Sequence, residues 1–165
     1  MNVFLIVAQS ADGFIAKNST HLATDWTSKE DKKFFTERTK KAGVVVMGST
    51  TYETFMRPLK DRLNIVYSRG KTYEGVETTQ KPPIELITEL QDRGYEEVAI
   101  CGGASIYTLF MDAGCIQTIY LTQEPILFGQ GISLFNKPID QKLSLLSFEK
   151  LNEEGTMLFE YKVLV

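Results

Sequence analysis

Short apolar runs, each closed by small or polar residues and most followed by a helix-forming stretch, recur along the first three quarters of this chain. Val3–Gln9 is almost unbroken in its hydrophobicity, and Val44–Met47, Leu63–Ser68, Glu97–Cys101 and Ile116–Thr122 follow it. A short apolar run without polar alternation marks a strand buried on both faces. Such strands need helices above and below them, and neighbours that run parallel need crossover connections.

The segments between the runs supply those crossovers. Ser10-Ala11-Asp12-Gly13 breaks the first run, and a loop continues to Trp26, with Asp12 and Asp25 read as turn formers. Thr27 or Ser28 can cap a helix reaching about Ala42, with Glu30 or Asp31 as capping-box partner; Phe34, Phe35 and Ala42 are expected to face inward. Gly43 stops it. Gly48-Ser49-Thr50-Thr51 turns into a short helix through Phe55, and Val76–Thr79 is a further strand. Pro82-Pro83 opens a helix expected to bury Ile84, Ile87 and Leu90, with Gly94 just past its end. Gly102-Gly103 leads into a helix over Ser105–Asp112. Beyond Thr122 only strands remain, and Leu143–Leu151 and Met157–Val165 flank the turn Asn152–Gly155. The expected fold is α/β: a mixed, mostly parallel sheet of about eight strands, flanking helices and a C-terminal antiparallel hairpin, all in one domain over 1–165.

A chain of 165 residues is long enough for a sizeable core, burying roughly 70% of its unfolded surface. Eighteen Lys and Arg against 21 Asp and Glu give a formal charge of −3, which argues against nucleic acid as the main partner. No stretch approaches the ~18 apolar residues that span a bilayer, so no membrane partner is expected. Met1–Ala8 lacks a basic region and cleavage site and reads as a strand. Cys101 and Cys115 sit in apolar settings without metal-binding spacing, so both are expected to be reduced, in a cytoplasmic protein with no metal site. His21, the only histidine, is read as a solvated loop residue. A monomer is expected, because no exposed apolar stripe stands out.

In sheets of this kind, ligands bind beyond the carboxyl ends of the strands. Here those ends carry Ala8, Gly48–Thr51, Ser68-Arg69, Gly102-Gly103 and Thr122. Cys101-Gly102-Gly103-Ala104-Ser105 lets the backbone approach a pyrophosphate, with a helix start offering free N–H groups; a mere turn is the competing reading. Gly48–Thr51 repeats that physics with added hydroxyls. Two such turns favour an extended, multiply phosphorylated ligand. Asp31 stands out most. A carboxylate near Trp26, Phe34 and Phe35 can be half-buried beside a flat ligand, which raises its pKa and suits it to hold or relay a proton. The helix dipole also favours an acid there without any chemistry. Arg62 is placed to clamp a substrate carboxylate.

The order of these segments resembles the dihydrofolate reductase family over nearly the whole chain. The resemblance rests on Ala11-Asp12-Gly13-Phe14-Ile15-Ala16, Trp26 with Asp31 and Phe35, Val45–Glu53, Pro58–Val66, Gly102-Gly103 before Tyr107, and Ile119–Thr122. It implies an oxidoreductase that reduces 7,8-dihydrofolate to tetrahydrofolate with hydride from NADPH. Asp31 then matches the pterin-binding carboxylate, Thr122 the threonine of its network, and Trp26 the residue holding a water beside it. Phe35, Phe55 and Leu59 match the apolar walls, Arg62 the grip on the glutamate tail, and Ile6, Val7 and Ala8 the strand contacting both rings. Cofactor contacts are implied at Ala8, Ile15, Gly48, Ser49, Thr50, Thr51, Ser68, Arg69, Cys101, Gly102, Gly103, Ala104, Ser105, Ile106 and Tyr107, with a cis Gly102–Gly103 peptide.

The chain departs from the family pattern in three places. The loop between Ala16 and Trp26 is long and has no proline before the tryptophan. Ser49 and Ser105 stand where basic residues are expected, which weakens the preference for NADPH over NADH. Lys32 replaces an often apolar contact. Asp12–Ala16 and Trp26–Asp31 also resemble the reductase domain of riboflavin-synthesis enzymes, which act on a ribosyl-aminopyrimidine. The joint presence of Asp31, Arg62 and Thr122 favours folate. A third reading, of a different class, is a module that binds NADPH without turnover.

Overall fold

Six parallel strands at the centre of the molecule set everything else in place. The computed structural model describes all residues, Met1–Val165. The strands are β1 (Asn2–Ser10), β2 (Phe14–Ala16), β3 (Val44–Gly48), β4 (Leu63–Tyr67), β5 (Glu77–Thr79), β6 (Glu97–Ile100), β7 (Thr118–Glu124), β8 (Ile132–Ser133), β9 (Leu143–Lys150) and β10 (Met157–Val163). The helices are α1 (Lys29–Ala42), α2 (Ser49–Glu53), α3 (Pro83–Asp92) and α4 (Ala104–Asp112). The main sheet has eight strands in the order β5-β4-β3-β6-β1-β7-β10-β9. All neighbours are parallel except β10, which runs antiparallel to both β7 and β9. The mixed sheet and terminal hairpin are those expected from the apolar runs.

Hydrophobicity on both strand faces explains the two cores. Val3, Leu5, Val44, Val46, Val98 and Ile100 pack on one side with α3 and α4. Phe4, Ile6, Val45, Met47 and Ala99 pack on the other with Tyr52 and Ala42. Helix α1 is tied across the sheet by Arg38, whose guanidinium donates to both Glu97 oxygens at 2.8 and 2.9 Å and lies over the Phe4 ring at 3.9 Å.

Several expectations need correction. Helix α3 turns Pro83, Leu86 and Leu90 inward and leaves Ile84 63% exposed, because the inward stripe starts one residue earlier than the Ile84–Ile87–Leu90 spacing suggests. Helix α1 does turn Phe34, Phe35 and Ala42 inward, with Ala42 buried and the two rings half-buried against the second core, but it also buries Asp31 and Thr39. The β2–β8 pair has no counterpart in the sequence pattern, since strands of two or three residues leave no periodicity. Strand β9 is exposed along its length and shows Leu143, Leu145, Leu146 and Phe148 to solvent. An exposed apolar stripe therefore exists, which removes the ground for expecting a monomer.

Candidate active site

Because β1, β3, β4 and β6 are parallel, their carboxyl ends open on one edge, and a cleft of ≈ 1620 Å³ runs along it. Pockets for one small ligand are typically ~300–1,000 Å³, so there is room here for two molecules. Every wall residue anticipated from the sequence lines this cleft: Ile6, Val7, Ala8, Ile15, Asp31, Phe35, Phe55, Leu59, Arg62 and the two glycine turns with their flanking residues. Trp26 and Thr122 do not line it.

The first turn of α1 fixes Asp31. Ser28 is the N-cap, and its hydroxyl accepts the Asp31 N–H at 3.1 Å. Asp31 is only 9% exposed. Burial pushes its carboxyl up to about 6; the Thr122 hydroxyl opposes that shift, the Glu124 charge adds to it, and Lys32 opposes it. Thr122 reaches this point from β7, where it pairs with Ala8 and is itself buried. A carboxyl that titrates near 6 inside an apolar cleft is able to take up and release a proton close to neutral pH.

Arg62 stands elsewhere in the same cleft. Its Nε donates to the Lys60 carbonyl and its Nη1 to the Thr39 hydroxyl, both at 2.8 Å. Thr39 is held in turn by donating to the Phe35 carbonyl at 2.7 Å. None of the ion pairs of the chain includes Arg62. The guanidinium is thus oriented from two sides and keeps free donors for an anion.

The glycine turns meet at the sheet edge, where the Gly48 N–H donates to the Gly102 carbonyl at 2.8 Å. The Gly102–Gly103 peptide is cis, as the resemblance implied. Gly102 has φ +106°, and a Cβ there would lie 3.0 Å from the Tyr107 hydroxyl; one on Gly103 would lie 3.2 Å from Thr51 Oγ1. Tyr107 itself donates to the Ile6 carbonyl at 2.8 Å, so it cannot easily yield. Helix α4 starts at Gly103 with no side-chain cap, which leaves first-turn N–H groups available to an anion. Burial pushes the Cys101 thiol up to about 12, making it an inert wall.

The loop leading to α1 folds onto the β7–β8 connection. Trp26 packs edge-on against Phe128 at 5.0 Å and beside His21 at 6.3 Å. Its Nε1 is buried without a hydrogen-bond acceptor in the chain. His21, read as solvated, is half-buried, and its Nδ1 accepts the Lys17 N–H at 3.1 Å. Asp12 does more than form a turn: its carboxylate accepts the Ser10 hydroxyl and the N–H groups of Phe128 and Gly129. Glu124 carries no signal in the sequence, being one polar residue near the end of a strand; it is 3% exposed beneath α1.

This sheet and cleft are those of a class of α/β reductases. The chain is similar to the structure of dihydrofolate reductase from Enterococcus faecalis complexed with NADP(H), with 25% identity, TM-score 0.75 and 99% and 97% of the two chains covered. It is also similar to a Shewanella structure carrying a riboflavin-biosynthesis description, with TM-score 0.85, 20% identity and both chains fully covered. Within that class the chain belongs to the dihydrofolate reductase family, whose sequence model, Dihydrofolate reductase, matches residues 2–154. It is 29% identical to the dihydrofolate reductase of Aedes albopictus over 180 aligned positions, covering 96% of this chain and 94% of that one. Bifunctional dihydrofolate reductase-thymidylate synthases are longer; the chain spans 19% of the one from Plasmodium chabaudi.

Proposed function

We propose that the chain reduces 7,8-dihydrofolate to 5,6,7,8-tetrahydrofolate using NADPH. The observation that carries this reading is Asp31, a nearly buried acid in the cleft with its pKa raised to about 6. A carboxyl group so placed pairs with the amino group and adjacent ring nitrogen of a pterin and keeps a proton available as the ring is reduced.

The residues present fit a dinucleotide. Gly48, Gly102 and Gly103 form a cradle that Cβ atoms at Gly102 and Gly103 would fill, beside the uncapped start of α4, while Ser68 and Arg69 line the same cleft. When bound, the nicotinamide supplies the hydride. The chain supplies placement: Phe35, Phe55 and Leu59 wall in a flat ring, Ile6–Ala8 present backbone to it, and Arg62 grips the tail carboxylate. Trp26 Nε1, an orphaned buried donor, suits a bridging water that relays toward Asp31. Ser49 and Ser105 offer hydroxyls and no charge, so the hold on a 2′-phosphate falls to Arg69 with Ser68.

A second reading has one observation behind it. A guanidinium pairs as well with a phosphate as with a carboxylate, so Arg62 also suits the tail of a phosphoribosyl-aminopyrimidine. The test is loss of NADPH absorbance with dihydrofolate, with an aminopyrimidine ribotide, and again with NADH. Turnover of dihydrofolate supports the first reading; turnover of the pyrimidine alone replaces it. Cofactor binding without any oxidation would leave a binding module.

A further inference from the structure

Beneath the first turn of α1 lies a buried polar chain that the proposed reaction leaves unused. The Glu124 Oε1 accepts the Ser28 N–H at 2.8 Å, and Oε2 accepts the Thr156 hydroxyl at 2.7 Å. Thr156 is 1% exposed. Its hydroxyl accepts from Asn152 Nδ2 at 2.8 Å, and Nδ2 also donates to Glu30 at 3.2 Å. The Asn152 Oδ1 closes the turn by accepting the N–H groups of Gly155 and Thr156 at 3.0 and 2.9 Å. The β9–β10 turn is thus tied to both Glu30 and Ser28, the residues on either side of Lys29 in the turn that carries Asp31.

We infer that Glu124 is a positioning residue for Asp31: its carboxylate locks the cap of α1 to β7 and the terminal hairpin, and its charge holds the proton on Asp31. The inference rests on Asp31 being the proton-holding group of the reading above.

The geometry gives both halves of this role. Both Glu124 oxygens accept hydrogen bonds, an arrangement suited to the anion. Ser28 is the residue whose hydroxyl receives the Asp31 N–H, so fixing its backbone fixes the start of the helix. Glu124 lies two residues beyond Thr122 on β7, on the same strand face. A second buried carboxylate nearby disfavours ionisation of the first, and the Glu124 charge acts on Asp31 in that sense. The other groups acting on Asp31 are Lys32 on its own helix and Thr122 on β7, and the Asp31 charge is felt by Tyr107 on α4. Lys32 and Thr122 both favour the carboxylate, leaving Glu124 as the neighbour that opposes it.

The test is the titration of Asp31 in the full chain, followed by carboxyl-carbon NMR, beside the pH profile of turnover. Glu124→Gln is expected to move the Asp31 midpoint to lower pH, and the fall in turnover with rising pH is expected to move with it. Glu124→Asp keeps the charge and is expected to restore the midpoint. Asn152→Ala loosens the hairpin tie alone and is expected to lower turnover with the midpoint unchanged. If Glu124→Gln does not fold, Glu124→Leu with Thr156→Val removes the charge and its donor together, and the same fall is expected. An unchanged midpoint in a charge-removing variant overturns the inference. Because the NMR titration needs no substrate, a failure of dihydrofolate reduction would leave it standing and count only against the proposed reaction.

Discussion

Arg62 donates to the Thr39 hydroxyl at 2.8 Å across 23 residues of chain, so the helix that carries Asp31 also aims the cation of the cleft. The two are linked through a single turn-by-turn spacing: Asp31, Phe35 and Thr39 lie four residues apart on one face of α1. Arg62→Ala is expected to raise the substrate KM by about 10- to 150-fold, the worth of one hydrogen bond to a charge, with kcat far less affected. Thr39→Val leaves the charge but removes its guide, and a rise of only several-fold is expected. Steady-state kinetics with dihydrofolate check both. Equal KM in Arg62→Ala and the parent chain would remove Arg62 from the site.

The Arg38–Glu97 pair, by contrast, concerns stability. Arg38 is bidentate to Glu97 and stacked over Phe4, and its side chain is 11% exposed. Removing one partner leaves a charge poorly solvated, so Arg38→Ala is expected to cost about 2–4 kcal/mol in urea unfolding. A loss below about 1 kcal/mol, the value of an exposed pair, would show that the contact is merely superficial.

How much of this is readable from the residues alone follows the physics of each element. Strands buried on both faces write themselves as apolar runs, so β1, β3, β4 and β6 and the sheet edge that carries the cleft are legible. The glycine turns and Asp31 are legible because a special backbone or a misplaced charge stands out locally. Glu124 and Thr156 are not, because each looks like an ordinary polar residue beside a turn until the fold brings them within 2.7 Å. Ile84 misleads for the opposite reason: its apolar side chain fits a helical spacing, yet it stays 63% exposed on α3. The cleft is largely written in short-range pattern; its support is written in contacts 30 or more residues apart.

Gly102 tests the cradle. With φ +106° and the Tyr107 hydroxyl 3.0 Å from where a methyl carbon would sit, Gly102→Ala forces both a disfavoured backbone and a clash with a hydroxyl already bound to Ile6. The expected outcome is a stability loss of about 1–3 kcal/mol and NADPH binding weakened at least tenfold, read by quenching of protein fluorescence. Gly129→Ala has a similar positive φ (+75°) but open space around it, and is expected to cost only stability. Unweakened cofactor binding in Gly102→Ala would place the dinucleotide elsewhere.

Asp31 should trade stability for activity, with a sign fixed by its pKa. The carboxyl ionises near 3.8 when unfolded and near 6 when folded, so below about pH 4 both states hold the proton and there is no penalty. As pH rises toward 6 the unfolded chain releases its proton first, and folding is increasingly disfavoured; above that the penalty levels off at about 2–3 kcal/mol. Asp31→Asn abolishes the titration. Its melting temperature is therefore expected to gain on the parent chain between about pH 4 and pH 7.5, by roughly 2–4 °C for each kcal/mol, with turnover at neutral pH reduced about 100-fold or more. Thermal unfolding at those two pH values decides the point. If the difference between variant and parent does not change with pH, Asp31 titrates normally in the fold, and the acid at the centre of the proposed reaction has no special hold on its proton.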